Sequence, residues 1–178
     1  ARRIIKEMTG VDDSEADDLL KAAGNNVKTA IAMRRRNVDA VKARGAKVIL
    51  HGDTYDEASA YAKNLVKEKG MTYVHPYDDP DVIAGQGTIG MEILRQHPDA
   101  LHAVFVPVGG GGLCAGVAAY IKYVRPEVKV FAVEAEDSAC LAAAMKKKKR
   151  VTLPQVGLFA DGTAVAQIGE ETFRVLRK

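Results

Sequence analysis

From residue 47 onward, apolar and polar positions switch repeatedly between two periods. Short apolar runs occupy residues 47–51, 72–75, 103–108 and 128–134. Between them lie longer amphipathic stretches. Residues 55–69 place Ala58, Ala62, Leu65 and Val66 on one helical face. Residues 81–96 follow Pro80, residues 113–124 stop before Pro126, and residues 138–148 run into lysines. Short runs read as buried strands and long amphipathic runs as helices. Strict alternation with brief links predicts an α/β domain: a parallel sheet with helices on both faces. Local signals agree with these starts. Thr54 is placed as an N-cap with Glu57 at the capping-box position. Asp78-Asp79-Pro80-Asp81 opens the next helix. Gly85 and Gly87 fall inside that helix. Each costs about 1 kcal/mol against alanine there, which points to close packing of the helix on a strand.

One loop in this pattern carries chemistry. Four consecutive glycines, Gly109, Gly110, Gly111 and Gly112, separate the strand at 103–108 from the helix beginning at Leu113. Glycine lets a ligand come close to the backbone and tolerates positive φ. The loop opens onto a helix N-terminus, where unpaired N–H groups and the helix dipole favour an anion. A phosphate is the natural occupant. A tight turn without ligand is the plainer reading, but such a turn needs only one or two glycines. The same residues, Gly110-Gly111-Gly112-Leu113-Cys114-Ala115, also fit the relaxed dinucleotide pattern G-x-G-x-x-A. The next apolar run ends in Glu134, where a dinucleotide-binding domain keeps its ribose acceptor. Spacing alone leaves both ligands open.

Six segments in order carry a resemblance. They are Val48-Ile49-Leu50-His51-Gly52, His75-Pro76-Tyr77-Asp78, Ile83-Ala84-Gly85-Gln86-Gly87-Thr88, the stretch from Val106 to Leu113, the stretch from Ala132 to Cys140, and the stretch from Gly157 to Val165. Together they make residues 38–178 resemble the central part of the biosynthetic threonine dehydratases. These are pyridoxal-phosphate lyases of fold type II, with a Rossmann-like sheet. The resemblance implies that Gly109, Gly110, Gly111, Gly112 and Leu113 cradle the cofactor phosphate. It also implies that Gly162, beside Asp161, lies near the cofactor.

The family's lysine motif, Ser-x-Lys-x-Arg-Gly-Ala, is missing. So are the Ser-Gly-Asn-His-type loop and the late Ser or Cys that pairs with the pyridine nitrogen. Lys42-Ala43-Arg44-Gly45-Ala46 contains part of the lysine motif but leads straight into a strand, whereas the family motif opens a helix. It reads better as a helix ending at Gly45. No catalytic residue is therefore assigned. The expectation is a chain that retains a phosphate site but lacks the Schiff-base lysine. It should be non-catalytic alone, with weak phosphate binding or none.

Residues 1–34 have a different pattern. Apolar positions at helical spacing are broken at Gly10 and at Gly24-Asn25-Asn26. They resemble a ubiquitin-associated-like three-helix bundle, such as the C-terminal segment of N-acetylmuramic acid 6-phosphate etherases. The change of family across Arg34-Arg35-Arg36 implies a chimera, engineered or recombined. Ala1 and the apparent helix running to Lys178 read as cut ends.

Composition narrows the partners. Apolar residues make up 47% of 178, enough for a sizeable core, and the net charge is only +3. That charge does not point to nucleic acid. Lys146-Lys147-Lys148-Lys149-Arg150 reads as a solvated helix end. No apolar stretch reaches membrane length and no leader pattern is present, so a cytoplasmic setting without membrane contact is expected. Cys114 and Cys140, and the histidines His51, His75, His97 and His102, lack metal spacing, and no metal is expected. Glu134, Glu136 and Asp137 stand where ligands approach open α/β sheets, or simply acidify a helix start. The expected partner is a small-molecule anion or phosphate. A homo-oligomer is compatible with the sequence.

Overall fold

The computed structural model describes residues 12–22, 37–52, 55–157, 160 and 162–178. The chain forms two compact units, Ala1–Leu65 and Val66–Lys178.

The first unit contains α1 (Asp13–Ala22) and α2 (Asn37–Lys42), and α3 (Tyr55–Lys69) begins within it. Asp12 caps α1: its carboxylate accepts from the Glu15 amide at 2.8 Å. Ala16 is fully buried. Most of the bundle expected over 1–34 lies outside the described residues, as do Asp53 and Thr54. After α2 the chain turns at 43–45, with Gly45 at φ 83°. This is the glycine-terminated helix read from the sequence. Lys42 sits exposed in its last turn. The His51 ring stacks on Tyr61 with centroids 4.1 Å apart.

The second unit is built on one β-α-β crossover. β1 (Ala103–Pro107) and β2 (Lys129–Val133) pair in parallel, with Ala103 opposite Lys129 and Pro107 opposite Val133. α5 (Gly112–Val124) connects them and packs on both strands. α4 (Pro80–Gln96) lies along α5, and α7 (Glu170–Leu176) packs against α5 as well. α6 (Cys140–Lys147) follows a short 3₁₀ turn, Glu136–Ser138. The core gathers Ile83, Val106, Val117, Ile121, Leu141 and Ile168. The lysines of the basic run are solvated, with Lys148 closing α6 in the left-handed conformation at φ 53°.

The class is the expected one, α/β with a parallel sheet, but the sheet is smaller than the pattern predicts. Residues 47–51 and 72–75 are not in strands. Their apolar side chains stay largely open: Ile49, Leu50 and Val74 are all exposed. An apolar run becomes a strand only when another strand pairs along it, and the sheet of the described residues consists of β1 and β2 alone. For the same reason the predicted apolar face of α3 is only half-buried, with no residue fully enclosed. Helices cover one face of the sheet. Val106 points into the core, while Phe105, 69% exposed, stacks on Phe131 on the open side with centroids 4.9 Å apart.

Glycines set the distance between α4 and α5. A β-carbon on Gly87 would meet the Gly116 carbonyl oxygen at 3.3 Å, and one on Gly90 the Val117 carbonyl oxygen at 3.2 Å. A β-carbon on Gly116 would collide with the Ile83 carbonyl and lie 2.6 Å from the Gly87 nitrogen. The packing expected for Gly87 is therefore helix on helix rather than helix on strand. Gly85 faces open space. Gly116→Ala is expected to destabilise the chain by about 2–3 kcal/mol, because backbone rather than side chain must move. Gly85→Ala is expected to stabilise it by about 0.5–1 kcal/mol. Urea unfolding midpoints of the two variants should move in opposite directions.

Candidate functional site

β1 delivers the chain into the glycine loop. The Val108 amide still bonds to the sheet, donating to the Val133 carbonyl at 2.8 Å. Residues 109–111 then bend, and α5 starts at Gly112. Gly111, at φ 95°, is the N-cap, a conformation that a side chain would strain. Gly110, Gly111 and Gly112 are buried, and Gly109 and Leu113 half-buried.

The chain itself accounts for all four glycines. A β-carbon on Gly109 would lie 2.9 Å from the Thr163 Cα. One on Gly110 would overlap the Tyr77 ring, and one on Gly112 would lie 2.9 Å from the Tyr77 carbonyl oxygen. One on Gly111 would lie 2.8 Å from Ile168 Cδ1 and 3.0 Å from the Thr172 Cβ. The expected reason for glycine was a ligand approaching the backbone. The structure adds a second one, the approach of protein to the same backbone.

Thr172 is held by the carboxylate of Asp78, the residue that follows Tyr77. In the turn at 75–78, His75 Nδ1 accepts from the Asp78 amide at 2.9 Å and from the Tyr77 amide at 3.3 Å. The His75 ring meets Tyr77 edge-on, with centroids 4.7 Å apart. Asp78 reaches across the fold and caps α7. Its carboxylate accepts from the amides of Glu170 (2.8 Å), Glu171 (2.8 Å) and Thr172 (3.2 Å). The Thr172 hydroxyl then donates to the Gly110 carbonyl at 2.8 Å, joined by the Gly169 amide at 3.2 Å. On the other flank the Cys140 thiol donates to the Gly109 carbonyl at 3.6 Å. None of these supports was singled out from the sequence as part of a site. His75, Tyr77, Asp78 and Cys140 lie in segments that carried the resemblance, while Thr172 lies in the helix beyond them.

Charge is distributed to match. Asp79 caps α4 through the amides of Asp81 (2.8 Å) and Val82 (3.2 Å). Glu134 caps α6, accepting from the amides of Leu141 and Ala142 at 2.8 Å each. Asp78 does the same for α7. The start of α5 has no side-chain cap. Its first-turn amides keep the donors that a helix start leaves over, at the positive end of the dipole.

Glu134 thus has a structural duty, which counts against the dinucleotide reading that required it as a ribose acceptor. Among the described residues, no group of three or more His, Cys, Asp or Glu side chains could hold a metal ion. Gly162 is exposed, with open space around its Cα. Its neighbour Thr163 is the residue that reaches the loop. Asp161 lies outside the described residues. No helix among the described residues is long and apolar enough to cross a membrane.

Residues 21–178 match the family described as pyridoxal-phosphate dependent enzyme, and the chain belongs to that family. It is 60% identical over 144 residues to a biosynthetic L-threonine dehydratase of Burkholderia multivorans, covering 79% of this chain and 28% of that protein. It is 58% identical over 138 residues to a chloroplastic biosynthetic threonine dehydratase of Arabidopsis thaliana, covering 78% of this chain and 23% of that protein. The processed form of threonine deaminase isoform 2 from Solanum lycopersicum superposes with a TM-score of 0.74 at 48% identity, over 80% of this chain and 41% of that one. The chain spans about a quarter of the length of these curated relatives. The family match begins at residue 21, inside the stretch that resembles a helical bundle.

The residues present fit one end of pyridoxal phosphate. A glycine loop leading into a helix start without a side-chain cap among the described residues offers several amides to a phosphate. Every described lysine is exposed to solvent.

Both thiols lie deep beside this loop. Burial, reinforced by the Glu134 charge, pushes Cys114 up to about 11. Burial and the same charge push Cys140 up to about 12. Both are therefore neutral near pH 7, and alkylation of the folded chain at pH 8 should be very slow until it unfolds. A thiol pKa raised by folding supports stability below the unfolded value of 9.0 and loses that support as pH climbs through the folded value. Unfolding free energy should therefore fall between pH 9 and 12. It should fall less steeply in Cys140→Ala, as chemical denaturation at stepped pH would reveal.

Proposed function

We propose that this chain is the phosphate-anchoring portion of a pyridoxal-phosphate threonine dehydratase, whose family reaction converts threonine to 2-oxobutanoate and ammonia. The observation carrying this reading is the uncapped start of α5 on the glycine loop, in a chain so similar to those dehydratases. When bound, the cofactor supplies an electron sink for the carbanion at the substrate α-carbon.

The chain's own contribution is binding and orientation. Amides of the loop and of the first turn of α5 bind the phosphate. The α5 dipole favours its charge. Tyr77 and Thr163 pack on the loop and exclude water from that side. Catalysis needs a lysine beside the cofactor, and the described lysines offer none. Lys42 ends a short exposed helix in the first unit. The isolated chain is therefore read as non-catalytic, with affinity for a phosphate-sized anion in the millimolar range, about −4 kcal/mol.

Residues 1–34 are read as a separate helical module, of chimeric origin, outside this chemistry. A cytoplasmic setting belongs to the same reading, since a reducing compartment keeps the two cysteines as thiols.

A keto-acid assay with threonine and added pyridoxal phosphate should show no turnover above the cofactor alone. Turnover that vanishes in Lys42→Ala would overturn this and make that lysine catalytic. In parallel, phosphate titration followed by amide shifts should move residues 109–113 first; shifts confined elsewhere would reduce the loop to a turn.

A further inference from the structure

Binding at this loop depends on where its amides point, and the structure identifies what aims them. In a planar trans peptide, the carbonyl of one residue and the N–H of the next point to opposite sides. Holding a carbonyl therefore aims the following amide. The Gly110 carbonyl is held from the α7 side by the Thr172 hydroxyl at 2.8 Å and the Gly169 amide at 3.2 Å. That turns the Gly111 N–H away from α7. The Gly109 carbonyl is held by the Cys140 thiol at 3.6 Å, which turns the Gly110 N–H away from α6. Four successive glycines have no side chains to restrict their peptide planes, so orientation must come from outside the loop.

Of the two side chains, Thr172 has the stronger claim. It is fully buried, its hydroxyl donates at a short distance, and its own amide is fixed by Asp78. A thiol is a weak donor by comparison. A valine at this position would fill the same volume, so packing alone does not explain a buried hydroxyl.

We propose that Thr172 is a positioning residue of the anion site: its hydroxyl fixes the Gly110–Gly111 peptide plane so that the Gly111 amide faces the bound phosphate. This rests on the phosphate-anchoring reading above. Thr172 does not touch the anion, and its effect passes entirely through the Gly110 carbonyl.

The test compares Thr172→Val, which keeps volume and removes the donor, with Thr172→Ser, which keeps the donor and loses a methyl group. Inorganic phosphate is titrated into the full 178-residue chain and followed by amide shifts, with thermal unfolding recorded beside it. Thr172→Val should weaken phosphate binding about fivefold to tenfold, the effect of losing one hydrogen bond. Thr172→Ser should bind within about twofold of the parent even though it melts lower, because a lost methyl lowers stability without removing the donor. In the parent, the Gly110 and Gly111 amides should shift most.

Equal binding by Thr172→Val, or a loss in Thr172→Ser as large as in Thr172→Val, would overturn the proposal by showing that volume rather than the hydroxyl matters. If Thr172→Val does not fold, the parent shift map and Thr172→Ser decide it. Parent shifts that bypass Gly110 and Gly111 would overturn it with no variant needed. A parent chain that shows no phosphate-dependent shift anywhere removes the anion site itself and this role with it. A parent that binds while Thr172→Val binds equally well removes only the role of Thr172.

Discussion

The backbone of residues 109–112 lies closer to Tyr77, Thr163, Ile168 and Thr172 than any β-carbon would permit, and much of the second unit is arranged around that approach. The turn at 75–78 presses on the loop from one side. The segment from 163 to 172 presses from another. The two are joined by Asp78, which caps α7 while its neighbour Tyr77 covers Gly110 and Gly112. A segment with no side chains of its own is made rigid by contacts from pieces of chain more than thirty residues away on either side. Such a loop can present amides in a set direction without the flexibility that four glycines would have in isolation.

The distribution of carboxylates follows the same plan. Asp79, Glu134 and Asp78 each satisfy a helix start, and each is thereby committed. The helix that faces the glycine loop receives none. An acidic cap there would repel a phosphate, whereas leaving the donors free sets the helix end apart for an anion. The committed state of Glu134 also has a cost, since its charge adds to burial in keeping two nearby thiols protonated.

In the proposed reading, phosphate anchoring and covalent attachment are built from different material. The anchor is local: one strand, one loop, one helix start and the two segments that clamp them. The relatives are about four times as long as the stretch they share with this chain. The stacked pair Phe105–Phe131 lies on the open sheet face. Parallel sheets are ordinarily covered on both faces, and here the described residues cover one.

Period and punctuation made much of this fold legible in the sequence. The helices at 55–69, 80–96, 112–124 and 140–147 and the strands around Phe105 and Phe131 were all visible as apolar patterns bounded by Pro80, Pro126 and the glycine run. These features are local: a helix is specified by neighbours three and four residues away. The glycine loop between strand and helix was legible for the same reason. The runs at 47–51 and 72–75 misled, because a strand exists only through a partner that no local pattern supplies. Thr172, Tyr77 and Asp78 could not be read as one assembly, since their contacts, from Tyr77–Gly110 to Asp78–Thr172, join residues far apart in the chain and leave no periodic trace. Glu134 shows the division most plainly. Its position at a strand end was evident from the chain alone, but whether its carboxylate would face a ligand or a helix start was decided only when α6 folded back onto it, because a carboxylate goes to the nearest unpaired amides.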